Sequence, residues 1–301
     1  MNQSLIVGAR GQDGRLLNAF LSLRGIPVVT LGRGDFDITD PSSIREILRE
    51  GIDHVYYLAA HHHSSQDTGV RGNWDLFKRS TEVHTEGLFH FLEAIRQYSP
   101  RTRLFYAASS LVFGAPLVEP QNESTPLNPV CFYGITKASG LQICGHFRRT
   151  YGVFASGGIL FNHESALRER KFVIPKIIHT ALEISRGASL KLQLGDLSAR
   201  VDWGYAPDYV EAMHRILCLE NPEDFVIATG ETHSVQEVVE MVFARLGLDW
   251  KAHVTEAPGI LTRKRVVLRG DPSKLQQLTG WRPSIDFQTM ISGLVDAAQN
   301  A

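Results

Sequence analysis

The stretch Ile6-Val7-Gly8-Ala9-Arg10-Gly11-Gln12-Asp13-Gly14 closes an apolar run and opens a segment whose Leu16, Leu17, Phe20 and Leu23 fall on one helical face. Strand, glycine turn, helix is the order that brings a dinucleotide pyrophosphate onto a helix N-terminus. Free backbone N–H groups and the positive end of the helix dipole favour the phosphate charge there. The spacing is Gly-x-x-Gly-x-x-Gly, not the Gly-x-Gly-x-x-Gly of many dehydrogenases. A tight turn in any α/β protein would use the same glycines, so the residues downstream decide the meaning of this stretch.

Outward from the turn, strand-like apolar runs alternate with amphipathic helical ones. Strands are predicted at about 3–7, 27–31, 54–58, 103–107 and 154–160, and helices at about 13–24, 41–49, 80–97 and 134–151. Repeated β-α-β units predict an α/β fold, a doubly wound parallel Rossmann sheet covered on both faces. After Asn162 the rhythm changes to helices at about 172–186, 206–219, 234–247 and 286–298, joined by short strands at about 190–194 and 225–228. The division expected is a dinucleotide-binding domain over 1–165, completed by about 204–229. A smaller α/β C-terminal substrate domain, 166–203 and 230–301, would lie over the carboxyl ends of the strands, where open sheets bind ligands. Residues 64–73 are polar and glycine-containing and are read as a mobile loop near the cofactor edge.

With 301 residues, 43% of them hydrophobic and 21% charged, the chain can bury a large core. A net charge of −1 offers no broad basic surface, so nucleic acid is not an expected partner. Cys131, Cys144 and Cys218 are scattered and form no Cys-x-x-Cys, which argues against a disulfide framework or zinc site and fits a reducing, cytoplasmic setting. The N-terminus has neither a basic region nor a long apolar stretch, so no signal peptide or membrane span is expected.

Tyr133-Gly134-Ile135-Thr136-Lys137 places a tyrosine and a lysine four residues apart on one helix face. A nearby ammonium lowers a phenol's pKa, so Tyr133 is expected to exchange a proton with a substrate hydroxyl near neutral pH. Ser109, just past the fourth strand in Ala107-Ala108-Ser109-Ser110, can hydrogen-bond a substrate oxygen beside it. A solvated Tyr-Lys pair and a pair of strand-ending serines are the bland readings. Glycine turn, serine and Tyr-x-x-x-Lys in this order are much harder to explain by chance.

Those three signatures resemble the extended short-chain dehydrogenase/reductases, which remodel nucleotide sugars. Within that group the chain most resembles the GDP-mannose 4,6-dehydratase family, over nearly its whole length. The matching text is Gly11-Gln12-Asp13-Gly14, Phe161-Asn162-His163-Glu164-Ser165, Asp202-Trp203-Gly204, Thr229-Gly230-Glu231-Thr232-His233-Ser234 and Gly280-Trp281-Arg282-Pro283. The resemblance implies catalytic Ser109, Tyr133 and Lys137. It implies a cofactor seat of Gly8, Arg10, Gly11, Gln12, Asp13, Gly14, Asp37, Ile38, Leu58, Ala59, Ala60 and Leu160, with Tyr133 and Lys137 reaching the same ligand. Strand two ends Leu31-Gly32-Arg33, with no acidic residue at that point for a ribose 2′-OH; Arg33 suits the 2′-phosphate of NADP, which is preferred over NAD. Asn162 and Lys176 match family positions that hold the nucleotide sugar, His63 falls where the family has a histidine, and Glu164 lies in the matching Phe-Asn-His-Glu-Ser text. Arg200 and Arg263 are expected near the sugar nucleotide, although neither matches a family arginine in register. Pairing of the helices at about 80–97 and 134–151 into a homodimer or homotetramer is also implied. His61, His62 and His63 cannot all ligate one metal from an extended segment, because alternate side chains face opposite ways, so no metal is expected.

Two departures bear on the reaction. The family's glutamate two residues after its catalytic threonine, the base at C5, is here Leu111, and Ser109 stands in place of the threonine. Leucine cannot accept a proton, whereas Ser109, Tyr133 and Lys137 suffice for hydride and proton exchange at C4. The family's arginine before Asp-Trp is here Val201, with Arg200 one place earlier, and its later Arg-Pro-x-Glu reads Leu261-Thr262-Arg263-Lys264. Three readings result: an NADPH-dependent reductase of a GDP-linked 4-keto-6-deoxyhexose; a 4,6-dehydratase drawing its base from His63 or Glu164; and a cofactor-binding sensor or scaffold. The first is preferred.

Overall fold

The computed structural model describes residues 3–61, 73–257, 259 and 266–300. The first half alternates β1 (Gln3–Val7), α1 (Gln12–Ser22), β2 (Val28–Leu31), α2 (Pro41–Arg49), β3 (Ile52–Tyr57), α3 (Asn73–Thr81), α4 (Gly87–Tyr98), β4 (Arg103–Ala107), α5 (Phe132–Tyr151) and β5 (Ala155–Leu160). The second half runs β6 (Asn162–Glu164), α6 (Val173–Ser185), β7 (Leu192–Leu194), β8 (Arg200–Val201), β9 (Trp203–Tyr205), α7 (Ala206–Leu217) and β10 (Phe225–Ile227). It closes with β11 (His233–Ser234), α8 (Val235–Arg245), α9 (Trp250–His253), β12 (Val254–Glu256), α10 (Ser273–Thr279) and α11 (Phe287–Gln299).

A six-stranded sheet has the order β10-β5-β4-β3-β1-β2, every neighbouring pair parallel. This is the doubly wound Rossmann sheet expected. The switch point lies where the order reverses beside β1, so the carboxyl ends of β1 and β3 part there into a crevice. Leu5, Val7, Val55, Tyr57, Leu104 and Tyr106 pack on one face with Leu88, Phe91, Leu92 and Phe147. Ile6, Tyr56 and Phe105 pack on the other with Leu17, Leu21, Tyr209, Met213 and Trp281. A third core joins Ile174, Ile177 and Leu182 to Trp203, Val238, Val242, Ile291 and Val295. Each fully buried Leu, Ile or Phe in these cores contributes roughly 1.5–3 kcal/mol.

Local chemistry sets the helix ends. Asp40 caps α2 by accepting from Ser42 N and Ser43 N, with Pro41 in the first turn. Asp286 caps α11 through Thr289 N at 2.7 Å. The helix expected at about 80–97 begins earlier, at Asn73, and carries a π turn at Glu82–Glu86 between α3 and α4. The loop reading of 64–73 falls outside the described residues except for Asn73, which opens α3. Among the described residues, no helix is long and apolar enough to cross a membrane, and no cluster of three His, Cys, Asp or Glu side chains could hold a metal.

Candidate active site

The carboxyl ends of β1 through β5 open into one cleft of about 1010 Å³. The glycine turn is its floor. Gly8 has φ +94°, and a Cβ there would lie 2.7 Å from Ala59 N; one on Gly14 would lie 2.6 Å from Ala9 Cα. The turn is therefore packed against the end of β3 and against itself. Gly11 differs: an added Cβ would meet only Gly8 O, at 3.5 Å. The N–H groups of Gln12, Asp13 and Gly14 open α1 ahead of its own hydrogen-bond ladder, as an anion seat requires. Such a bare cradle fits a dinucleotide diphosphate.

The segments Gly11–Gly14 and Phe161–Ser165 interlock beside that seat. Gln12 Nε2 donates to His163 O at 3.2 Å, and Ser165 Oγ donates to Gln12 Oε1 at 2.9 Å. His163 Nδ1 lies 2.7 Å from Phe161 O, and its Nε2 lies 3.0 Å from both oxygens of Asp13. Burial pushes the Asp13 carboxyl up, but His163 outweighs it and holds Asp13 below its ordinary value. Burial pulls the His163 imidazole down, and Asp13 reverses that, so its pKa is raised.

At the β2 end, Arg33 and Asp37 are exposed and Ile38 half-buried, all lining the cleft. Arg10 arches over Gly32, donates to Arg33 O at 2.9 Å and pairs with Asp35. Arg10 and Arg33 thus both line the cleft at the carboxyl end of β2. Leu58, Ala59, Ala60 and Leu160 line the neighbouring wall.

Tyr133 sits in the first turn of α5, capped by Cys131, and Ser109 at the end of β4; both face the cleft. Ser109 Oγ accepts from Leu111 N at 3.3 Å. Lys137 is buried, donates to Ala107 O at 2.6 Å and stands 5.8 Å from the Tyr133 ring centre. Burial pulls its ammonium down to about 7, with Asp13 opposing. The expectation that Lys137 lowers the Tyr133 pKa is corrected here. Burial raises Tyr133, and the cation that counters it is Arg168. In this cleft Tyr133 rests as a phenol.

Arg168 is the residue sequence reasoning missed. It lines the cleft, covers Phe172 at 3.6 Å and lies 3.8 Å from Glu164. Its only sequence signal is the charge run Arg168-Glu169-Arg170-Lys171, which reads as solvated surface. Glu164 is 2% exposed and lines the cleft, and its Oε2 has no hydrogen-bond partner among the described residues. Burial raises its pKa, Arg168 and His163 opposing. Asn162 lies exposed at the cleft wall. Arg200 lines the rim, its guanidinium held by Thr232 and Glu237. Lys176 donates to Gln193 O at 2.9 Å and is not among the residues that line the cleft. Leu111 forms part of the wall where a carboxylate base was sought. His63 and Arg263 lie outside the described residues.

Residues 34–294 match the family model described as GDP-mannose 4,6 dehydratase. GDP-mannose 4,6 dehydratase 2 of Arabidopsis thaliana is 36% identical, over 97% of this chain and 86% of that protein. The GDP-mannose 4,6 dehydratase of Homo sapiens is 33% identical, over 98% of this chain and 91% of that protein. The solved structure of RMD from Pseudomonas aeruginosa complexed with NADPH superposes with a TM-score of 0.86 at 20% identity, over 100% of both chains. A dTDP-glucose 4,6-dehydratase from Bacillus anthracis in complex with NAD also superposes with a TM-score of 0.86, at 18% identity, over 100% of this chain and 97% of that one. These two likenesses establish the shared fold.

Proposed function

The chain belongs to the GDP-mannose 4,6-dehydratase family, and from that premise we propose that it is an NADP(H)-dependent reductase of a GDP-linked 4-keto-6-deoxyhexose. The observation that carries this reading is Leu111 in the cleft wall, at the position where the resemblance calls for the carboxylate base of dehydration. A hydrocarbon there leaves the chemistry at C4 intact and removes the proton acceptor needed at C5.

The nicotinamide, when bound, supplies the hydride. Every other part of the step falls to this chain. Tyr133 gives its phenolic proton to O4, and the raised pKa of the phenol keeps that proton in place beforehand. Ser109 holds O4 by a hydrogen bond. Lys137, fixed to Ala107 O and 5.8 Å from the Tyr133 ring centre, would hold the nicotinamide ribose. Arg168 adds charge on the same side. Gly8, Gly11 and Gly14 leave room for the diphosphate, and Arg10 and Arg33 favour a ribose 2′-phosphate, which supports NADP over NAD. The cofactor unit is assigned to 1–165, completed by about 204–229, and the sugar-nucleotide unit to 166–203 and 230–301. Exposed Phe77, Phe89, Phe132 and Ile135 on α3, α4 and α5 support a homodimer or homotetramer, checked by sedimentation. Three free thiols fit the cytoplasm.

One observation favours a second reading, a 4,6-dehydratase. Glu164 is a buried carboxyl on the cleft wall whose pKa burial raises, and a carboxyl so placed can serve as an acid or base. The deciding experiment incubates the protein with GDP-mannose and, separately, with GDP-4-keto-6-deoxymannose plus NADPH, and identifies products by NMR. The reductase reading predicts conversion only in the second. Conversion of GDP-mannose alone establishes the dehydratase.

A further inference from the structure

The π turn at Glu82–Glu86 is seated from below by two tyrosines of the sheet. Tyr57 Oη donates to Val83 O at 2.6 Å, and Tyr106 Oη donates to His84 O at 3.1 Å. Both phenols are fully buried. Gly87 N closes the turn onto Glu82 O, five residues back, and a Cβ on Gly87 would lie 2.5 Å from Tyr57 Oη. Wide turns of this kind recur at functional sites because the extra residue redirects a side chain. Here the residue delivered inward is His84, at 0% exposure, a histidine with no part in the reaction described above.

Its two ring nitrogens join the segment after β3 to α5, both of which contribute residues to the cleft. Nε2 lies 3.0 Å from His61 N, in the segment that continues Ala59 and Ala60 past β3. Nδ1 lies 2.8 Å from Thr136 Oγ1 on α5. A backbone amide can only donate, so Nε2 carries the lone pair and the proton of the neutral ring sits on Nδ1, directed at Thr136. Thr136 Oγ1 in turn faces Phe132 O at 2.9 Å and Tyr133 O at 3.2 Å, in the first turn of α5. The imidazole also meets the Tyr133 ring edge-on, centres 5.1 Å apart and planes at 86°. One side chain therefore touches the proton donor's ring, its helix and the chain under the cofactor.

We propose that His84 is a positioning residue that fixes Tyr133 relative to the segment after β3, through one accepted and one donated hydrogen bond; this rests on the reading of Tyr133 as proton donor. The two arms are separable. Asparagine places an amide near Nδ1 and nothing at Nε2, so His84→Asn keeps the Thr136 arm and frees His61. Glutamine places a carbonyl near Nε2, so His84→Gln keeps His61 and frees the Thr136 arm.

The full-length protein and both variants are compared by NADPH fluorescence titration, by initial rates with the 4-keto sugar, and by hydrogen–deuterium exchange at His61. The loss of one buried hydrogen bond is worth about tenfold. His84→Asn is expected to weaken NADPH binding about tenfold and speed His61 exchange, with kcat within about twofold. His84→Gln is expected to lower kcat about tenfold while NADPH affinity and His61 exchange stay at wild-type values. Equal losses in every readout for both variants, or wild-type behaviour in both, overturns the proposal. If the wild-type protein fails to bind NADPH, the reductase reading fails, and His61 exchange still decides the tie: acceleration in His84→Asn alone upholds it, and no difference overturns it.

Discussion

Asp13 and His163 stand 150 residues apart in the chain and meet with His163 Nε2 3.0 Å from both carboxylate oxygens. Phe161 O accepts at Nδ1, and a carbonyl can only accept, so both ring nitrogens carry protons and the pair is carboxylate and imidazolium. A lone carboxylate at the N-terminus of α1 would repel a diphosphate. His163 neutralises it in place, and Gln12 and Ser165 lock the two segments around the pair.

Breaking this pair leaves a buried charge, so His163→Asn is expected to cost about 3–5 kcal/mol of stability near pH 5–6. The pH dependence comes from the two shifts. The lowered Asp13 contributes above its unfolded value of 3.8 and loses that contribution as acid titrates it. The raised His163 contributes below its unfolded value of 6.5 and loses it as pH rises through its folded value. Urea denaturation of wild type and variant across this range should give the largest difference between 3.8 and 6.5.

Two glycines of the turn separate packing from ligand approach. A Cβ on Gly14 collides with backbone, so Gly14→Ala should destabilise the fold by about 1–3 kcal/mol and weaken NADPH binding. A Cβ on Gly11 finds room in the free protein. Gly11→Ala should melt within about 0.5 kcal/mol of wild type yet bind NADPH at least about tenfold more weakly, because only a ligand needs that space. Thermal melts and fluorescence titration check both.

The range of each contact decides how much of the molecule was legible in its sequence. The sheet was readable because β3, β4 and β5 are buried on both faces and carry apolar stretches such as Val55-Tyr56-Tyr57 and Leu104-Phe105-Tyr106. The start at Asn73 was not: α3 buries only Ser80 and exposes Trp74, so it has no apolar stripe to read. Strands such as β8 and β11 are two residues long and exist only through pairing with each other. The glycine turn, Ser109 and Tyr133–Lys137 were legible because each is a local pattern tied to local geometry. Arg168 and His84 were not, since one acts through charge on Tyr133 and the other through His61 and Thr136. The contact of Lys176 with Gln193 O was not legible either, because helix position says nothing of it.

Lys137 carries a depressed pKa, about 7 against 10.5 unfolded. The unfolded chain therefore binds more protons between those values, and stability rises with pH across that window. Lys137→Met should remove this slope and raise stability at and below pH 7, while reduction falls by about 10²–10⁴-fold. Stability gained and activity lost in one variant would mark Lys137 as retained for its chemistry.

If Leu111 is what withholds dehydration, Leu111→Glu should acquire measurable conversion of GDP-mannose. A general base is worth about 10²–10⁴-fold, so even a poorly placed one lies within reach of product NMR. Glu164→Gln in the wild-type background should leave reduction of the 4-keto sugar largely intact. Its loss would favour the second reading.

In a reductase, hydride leaves the cofactor for the sugar and does not return. The most direct measurement supplies NADPH deuterated at its transferable position together with GDP-4-keto-6-deoxymannose. The account predicts deuterium at C4 of the product and equimolar loss of the reduced-nicotinamide absorbance. Product formed from GDP-mannose with no net change in that absorbance would contradict it.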